Sequence, residues 1–178
     1  MAKNKYSRDY RLLEEFRSDG RIKTSYEYIG DAWTFKNDNH KVEGEKKKAL
    51  WLVIAAWAAF VIALLPATGM MHKLWIALPF IFTALPLFMA LELILGLQKL
   101  KVPMERRHAD KLNNSYPART LAILYLSVVA FIAEAIYLVT SGVRMTGDLI
   151  MTAGTAVVVL CAFWLFKKRG CFICVTES

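Results

Sequence analysis

Apolar residues in this chain are bunched rather than spread. Residues 1–48 are strongly polar, and nearly all the long apolar runs fall between residues 49 and 166. A helix that crosses a hydrocarbon layer needs roughly 20 mostly apolar residues. Four runs have that length, at residues 49–65, 74–97, 119–140 and 149–166. Each is apolar all round, whereas a helix on a soluble protein keeps one polar face. In a chain of 178 residues, too little polar sequence remains to cover four such helices as a soluble core. The pattern therefore predicts an all-α integral membrane protein. Its fold would be a four-helix transmembrane bundle of two helical hairpins, with a small cytoplasmic N-terminal β-hairpin element.

The breaks between runs set the organisation. Pro66 and the turn Ala67-Thr68-Gly69 end the first run, and residues 141–148 join the third to the fourth. Both connections are short, which predicts two tight hairpins. A longer basic loop, residues 98–118, separates them. Thr68-Gly69 and Ser141-Gly142 echo each other and raise the idea of a parallel repeat, although turn chemistry alone produces such pairs. Pro79 and Pro86 lie seven apart in the second span, and each removes a backbone donor and tends to kink the helix. Ala55, Ala59 and Ala63 recur every four residues, a register in which small side chains let helices approach closely. The expected division is a polar segment 1–45, a membrane domain 46–169 and a tail 170–178.

The polar segment carries a different period. Tyr10, Leu12, Glu14 and Phe16 alternate with Arg11, Leu13 and Glu15, and Ile22, Thr24, Tyr26 and Tyr28 alternate with Lys23, Ser25 and Glu27. Ser18-Asp19-Gly20-Arg21 supplies turn residues between them. Gly30-Asp31 precedes a third short run, Ala32-Trp33-Thr34-Phe35. Period-two alternation with turns between predicts a β-hairpin with a possible third strand. A helix over residues 10–17 is the alternative. Residues 37–44 read as a polar linker. Tyr10, Tyr26, Tyr28, Trp33 and Phe35 need a surface to pack on: the chain's own membrane domain, a second copy or a partner.

Charge orients the spans. The formal net charge is +8, and the cations crowd beside the apolar runs. Twelve Lys and Arg precede residue 49, six lie between residues 98 and 119, and three follow the last span at Lys167, Lys168 and Arg169. The two short turns hold Lys73 and Arg144. Lys and Arg accumulate on the cytoplasmic side of short loops. The reading is a multi-pass protein of the cell (inner) membrane with both termini cytoplasmic. Trp51 and Trp164 mark one membrane boundary and Trp75 the other. The bilayer accounts for the basic balance, with no nucleic-acid partner.

Candidate chemistry is sparse. Cys161, Cys171 and Cys174 are too few for a disulfide framework, and one CxxC lacks the second pair that a zinc site needs. His40, His72 and His108 stand alone. No phosphate loop, nucleophile elbow or His-Glu metalloprotease motif occurs. No enzyme activity, cofactor or metal is expected.

Two acids lie inside the spans, where a carboxylate is costly by about 2.5–3.5 kcal/mol. Glu134 belongs to a stripe with Thr120, Ser127 and Ser141 at intervals of seven, bordered by Ala130 and Tyr137. The stripe is expected to face the bundle or a subunit interface, as a path for a proton or cation or as interhelical hydrogen bonding. Glu92 lies about two turns from Lys99, near the cytoplasmic interface, where snorkelling or pairing with a basic residue accounts for it. Asp148 is placed to cap the fourth helix or to pair with Arg144, and it heads a shorter stripe with Thr152 and Thr155. Glu134, Ser127, Tyr137 and Glu92 are the candidate binding or transport residues. The expected function is a non-enzymatic, self-associating subunit or accessory of a membrane assembly. Its partners would be the lipid bilayer and a second copy or another membrane protein. A small oligomeric transporter or channel using Glu134 is the alternative.

Overall fold

The structure is a computed structural model that describes residues 6–16, 22–141 and 146–176. The alternating segments form an antiparallel pair, β1 (Tyr10–Phe16) and β2 (Ile22–Tyr28), with Tyr10 opposite Tyr28 and Phe16 opposite Ile22. The helical alternative over residues 10–17 falls away. The turn expected at Ser18-Asp19-Gly20-Arg21 lies outside the described residues.

The third strand does not extend this hairpin. β3 (Trp33–Phe35) pairs with β4 (Cys174–Thr176) near the other end of the chain, Phe35 opposite Cys174. Trp33 also exchanges two backbone hydrogen bonds with Met104, at 3.0 and 2.9 Å. The polar N-terminal segment, the central connection and the tail therefore meet at one end of the bundle. Four traverses of the bundle require that arrangement, and backbone hydrogen bonds supply it without appeal to charge.

The first helix, α1 (Asn39–Leu64), begins inside the expected linker, because the Asp38 side chain accepts from the His40 amide at 3.2 Å and caps it. Its buried positions are Val42, Lys46, Ala49, Val53, Ala56, Phe60 and Ala63, stepping by four and three. That spacing keeps one seam turned inward.

The second span is broken into α2 (Leu74–Phe82) and α3 (Ala84–Lys99). Between them the Thr83 amide bonds the Pro79 and Phe80 carbonyls at 3.2 and 3.1 Å, and its hydroxyl donates to Pro79 at 2.9 Å. The break falls at Thr83, between the two prolines, and Thr83 itself keeps helical dihedral angles. The next helix, α4 (Arg106–Ser141), starts well before the span expected near Arg119 and absorbs most of the expected loop. The last is α5 (Thr146–Lys167).

Among the described residues, four helices are long and apolar enough to cross a membrane, with α2 and α3 counted as one. Only 33–44 % of each apolar window is buried inside the bundle. Leu65, Leu85, Val139, Leu160 and Phe163 face outward.

Although first and last in sequence, α1 and α5 pack directly together. They come close at Gly154, where a Cβ would lie 2.7 Å from Ala63 Cβ and 2.9 Å from the Ala59 carbonyl oxygen. The alanine stripe is thus a packing face within the chain, except that Ala55 is exposed.

Candidate functional site

Glu134 is fully buried, on the face of α4 that meets α5. The Thr155 hydroxyl donates to Glu134 Oε1 at 2.9 Å and lies 3.0 Å from the Met151 carbonyl. A threonine hydroxyl has one proton, so it serves one of these acceptors at a time. A protonated carboxyl satisfies both contacts together, donating to Thr155 while Thr155 donates to Met151. Glu134 Oε2 has no hydrogen-bond partner among the described residues.

Thr120 and Ser127 also turn inward, whereas Ser141 is half-buried, and the two buried hydroxyls do not continue the network. Thr120 donates to the Tyr116 carbonyl at 2.9 Å and Ser127 to the Leu124 carbonyl at 3.1 Å, each within its own helix. Tyr137 is buried and carries its hydroxyl to the turn at Gly69, where a Cβ would lie 2.9 Å from it. Among the described residues, cavities open at the surface elsewhere, and none of five such cavities is lined by Glu134, Ser127 or Tyr137. The stripe is a set of separate local bonds with one crossing, Glu134 to Thr155.

Glu92 is half exposed and lies 3.5 Å from both Lys111 and Arg119, joining α3 to α4. Its basic partners come from the part of α4 that the sequence reading placed largely in a loop, rather than from Lys99.

Asp148 lies within the first turn of α5. Its Oδ1 accepts from the Thr68 hydroxyl at 2.6 Å and from the Gly69 amide at 3.1 Å. Thr68 Oγ1 in turn accepts from the Met70 amide at 3.1 Å. The buried carboxylate thereby fastens the turn after α1 to the first turn of α5. Gly147 belongs to the same closure, because a Cβ there would collide with the Ala67 carbonyl. Arg144, the other expected partner, lies outside the described residues.

The end of the bundle where β3 and β4 pair holds residues that the sequence reading passed over. Lys46 is 1 % exposed, although it sits in a run of three lysines. Its ammonium bonds Glu43 at 2.5 Å and the Leu100 carbonyl at 3.1 Å, and it lies 5.4 Å from the centre of the Phe35 ring. Gln98 returns a bond to the Lys46 carbonyl at 2.7 Å. The clasp places a cation at the carbonyl end of α3, where the helix dipole favours it. The signal was available: Lys46 lies between Val42 and Ala49 on the inward seam of α1.

Asn113 acts as a strand partner, accepting from the Cys174 amide at 2.8 Å and donating to its carbonyl at 3.0 Å. Cys174 is buried with its sulfur 3.8 Å from Met104 sulfur, and burial pushes its thiol up to about 11. Cys171 is half-buried, and both thiols are free. Cys174 is a core residue whose thiol is held neutral and hence poorly nucleophilic.

The β1–β2 hairpin is tied to the start of α4. Tyr10 donates to Glu105, Tyr6 to Asp110 at 3.2 Å, and the Arg106 amide to the Tyr28 hydroxyl at 2.9 Å. The last bond satisfies one of the amides that every helix start leaves open. The hydrogen bond to Glu105, followed by burial, raises the Tyr10 phenol to about 12.

Among the described residues, no group of three or more His, Cys, Asp or Glu is placed to hold a metal ion. The arrangement can hold a proton at one buried carboxyl, present an aromatic ribbon at one end and gather cations around it. Comparison with models of protein families, with curated proteins and with solved structures returns no match for this chain.

Proposed function

We propose that this chain is a non-enzymatic, multi-pass subunit or accessory of a membrane assembly, with its β-paired end in the cytoplasm. It associates with a second copy or with another membrane protein. The observation that carries this reading is the β1–β2 hairpin. It is a two-stranded ribbon whose outer edges pair with no further strand among the described residues, and Tyr26 (73 %), Ile29 (58 %) and Leu12 (48 %) are exposed on it. Such a ribbon is marginal alone, and open strand edges are templates for pairing. The closed contact between Glu134 and Thr155 supports a structural role for the one fully buried glutamate among the described residues. The unburied apolar surface of the four long helices supports residence in a bilayer.

Crosslinking in native membranes, followed by mass measurement in mild detergent, tests assembly. Recovery of a dimer or a defined partner that is lost in Tyr26→Ser/Ile29→Ser fits the proposal. A strictly monomeric chain that crosslinks to nothing sinks it. A second reading, a small oligomeric transporter or channel, draws on the unpartnered Oε2 of Glu134. Proton or cation flux in liposomes that is indifferent to Glu134→Gln removes it.

A further inference from the structure

An apolar groove of about 540 Å³ runs between α1 and α5 at the β-paired end of the bundle. Its lining is Lys48, Trp51, Leu52, Ala55, Trp164 and Lys168. The first four fall at i, i+3, i+4 and i+7 on α1 and form one stripe, while Trp164 lies in the last turn of α5 and Lys168 directly follows that helix. The groove has two chemically distinct ends. Towards the middle of the bundle it is hydrocarbon and indole. At its mouth stand two ammonium groups, both held by the carboxylate of Glu45: Lys48 at 2.8 Å, and Lys168 in direct contact.

One carboxylate does not neutralise this mouth. Two ammonium groups share its two oxygens, and Lys47, Lys167 and Arg169 adjoin these lysines in sequence. Lys167 lies 5.1 Å over the Trp164 ring and Arg169 4.1 Å over Phe166. Each lysine ammonium has three donors, and Glu45 does not exhaust them. Trp51 and Trp164 are 70 % and 48 % exposed, and indoles with an apolar body and an N–H edge settle where hydrocarbon meets headgroup.

We propose that this groove binds an anionic phospholipid. Its phosphate takes the donors of Lys48 and Lys168 that the bridging Glu45 carboxylate leaves open, and an acyl chain lies along Leu52 and Ala55 between the two tryptophans. The charge and the apolar length are matched end for end by such an amphiphile. A free phosphate leaves the apolar part without a partner, and a zwitterionic lipid brings its own cation to the lysines. The proposal rests on the reading that the bundle resides in a bilayer.

The test uses the full chain in vesicles, with Trp33, Trp57 and Trp75 changed to Phe so that Trp51 and Trp164 report. Chain-brominated phosphatidylglycerol and chain-brominated phosphatidylcholine are compared at equal mole fraction as fluorescence quenchers. The proposal expects stronger quenching by the anionic lipid. In Lys48→Gln/Lys168→Gln that preference should fall about tenfold. Lys48→Arg/Lys168→Arg, which keeps the charge, should retain it, as should Lys99→Gln/Lys101→Gln. Circular dichroism checks that each variant keeps its helices.

Equal quenching by the two lipids overturns the proposal, as does a preference that survives loss of both lysines. Abolition of the preference by millimolar inorganic phosphate at constant ionic strength overturns it in favour of a bare phosphate site. Quenching by neither lipid is a different failure, because it removes the membrane reading itself.

Discussion

Replacing Gly154 by alanine should destabilise the bundle, although alanine is the better helix former. In an open helix interior the change stabilises by up to about 1 kcal/mol. That gain is available at Gly44 and Gly96, where an added Cβ meets nothing within 4 Å. At Gly154 the same atom would stand 2.7 Å from Ala63 Cβ and 2.9 Å from the Ala59 oxygen. Carbon pairs rest at about 3.5–4.0 Å, so α1 and α5 must move apart by about 1 Å at this contact. Overpacking of this kind costs about 1–3 kcal/mol, which exceeds the helix-propensity gain. The net loss at Gly154 should be up to about 2 kcal/mol, and larger for Gly154→Leu. Reversible unfolding in mixed micelles, followed by far-UV circular dichroism, measures all the variants on one scale. Opposite signs at Gly154 and at the two control glycines are expected. A Gly154→Ala protein as stable as Gly96→Ala would refute the close approach of α1 and α5.

Other consequences follow from the contacts that join the elements. Alkaline absorbance titration should show a tyrosine near pH 12 that disappears in Tyr10→Phe and moves down in Glu105→Gln. Because the folded phenol is raised above its ordinary value of 10.0, its contribution to hairpin docking is complete below pH 10 and is lost as pH climbs towards 12. No high-pH step, or one unaffected by Glu105, counts against that hydrogen bond. At pH 8, N-ethylmaleimide should label Cys171 well before Cys174. Asn113→Ala should speed Cys174 alone by freeing β4, whereas equal rates in the parent protein contradict the buried thiol. Asp148→Ala should cost about 1–3 kcal/mol in the same unfolding assay, because buried donors at the turn after α1 lose their acceptor. A change below about 0.5 kcal/mol, the range of ordinary surface substitutions, denies the clasp.

Much of the architecture was legible because its causes are local. An all-apolar run of about 20 residues carries its own signal, as does period-two alternation around Asp19-Gly20. The inward direction of Thr120, Ser127 and Glu134 followed from spacing alone. Two local signals were misread. The helical start of α4 was hidden by its charged composition, since propensity does not require apolarity. Asp38 is a good cap, but without the helix that follows it reads as part of a linker.

What remained depended on which elements meet. Strand pairing between Trp33–Phe35 and Cys174–Thr176 joins residues about 140 apart, and no periodicity within either segment names the other. The same holds for Asp148 with Thr68, for Asn113 with the Cys174 backbone and for Glu92 with Lys111 and Arg119. Glu134 shows the division most clearly. Sequence placed an acid on an inward stripe and left open a path or a bond. Only the packing of α5 brought Thr155 against it, because the partner of a buried polar group is chosen by the neighbouring helix and not by its own.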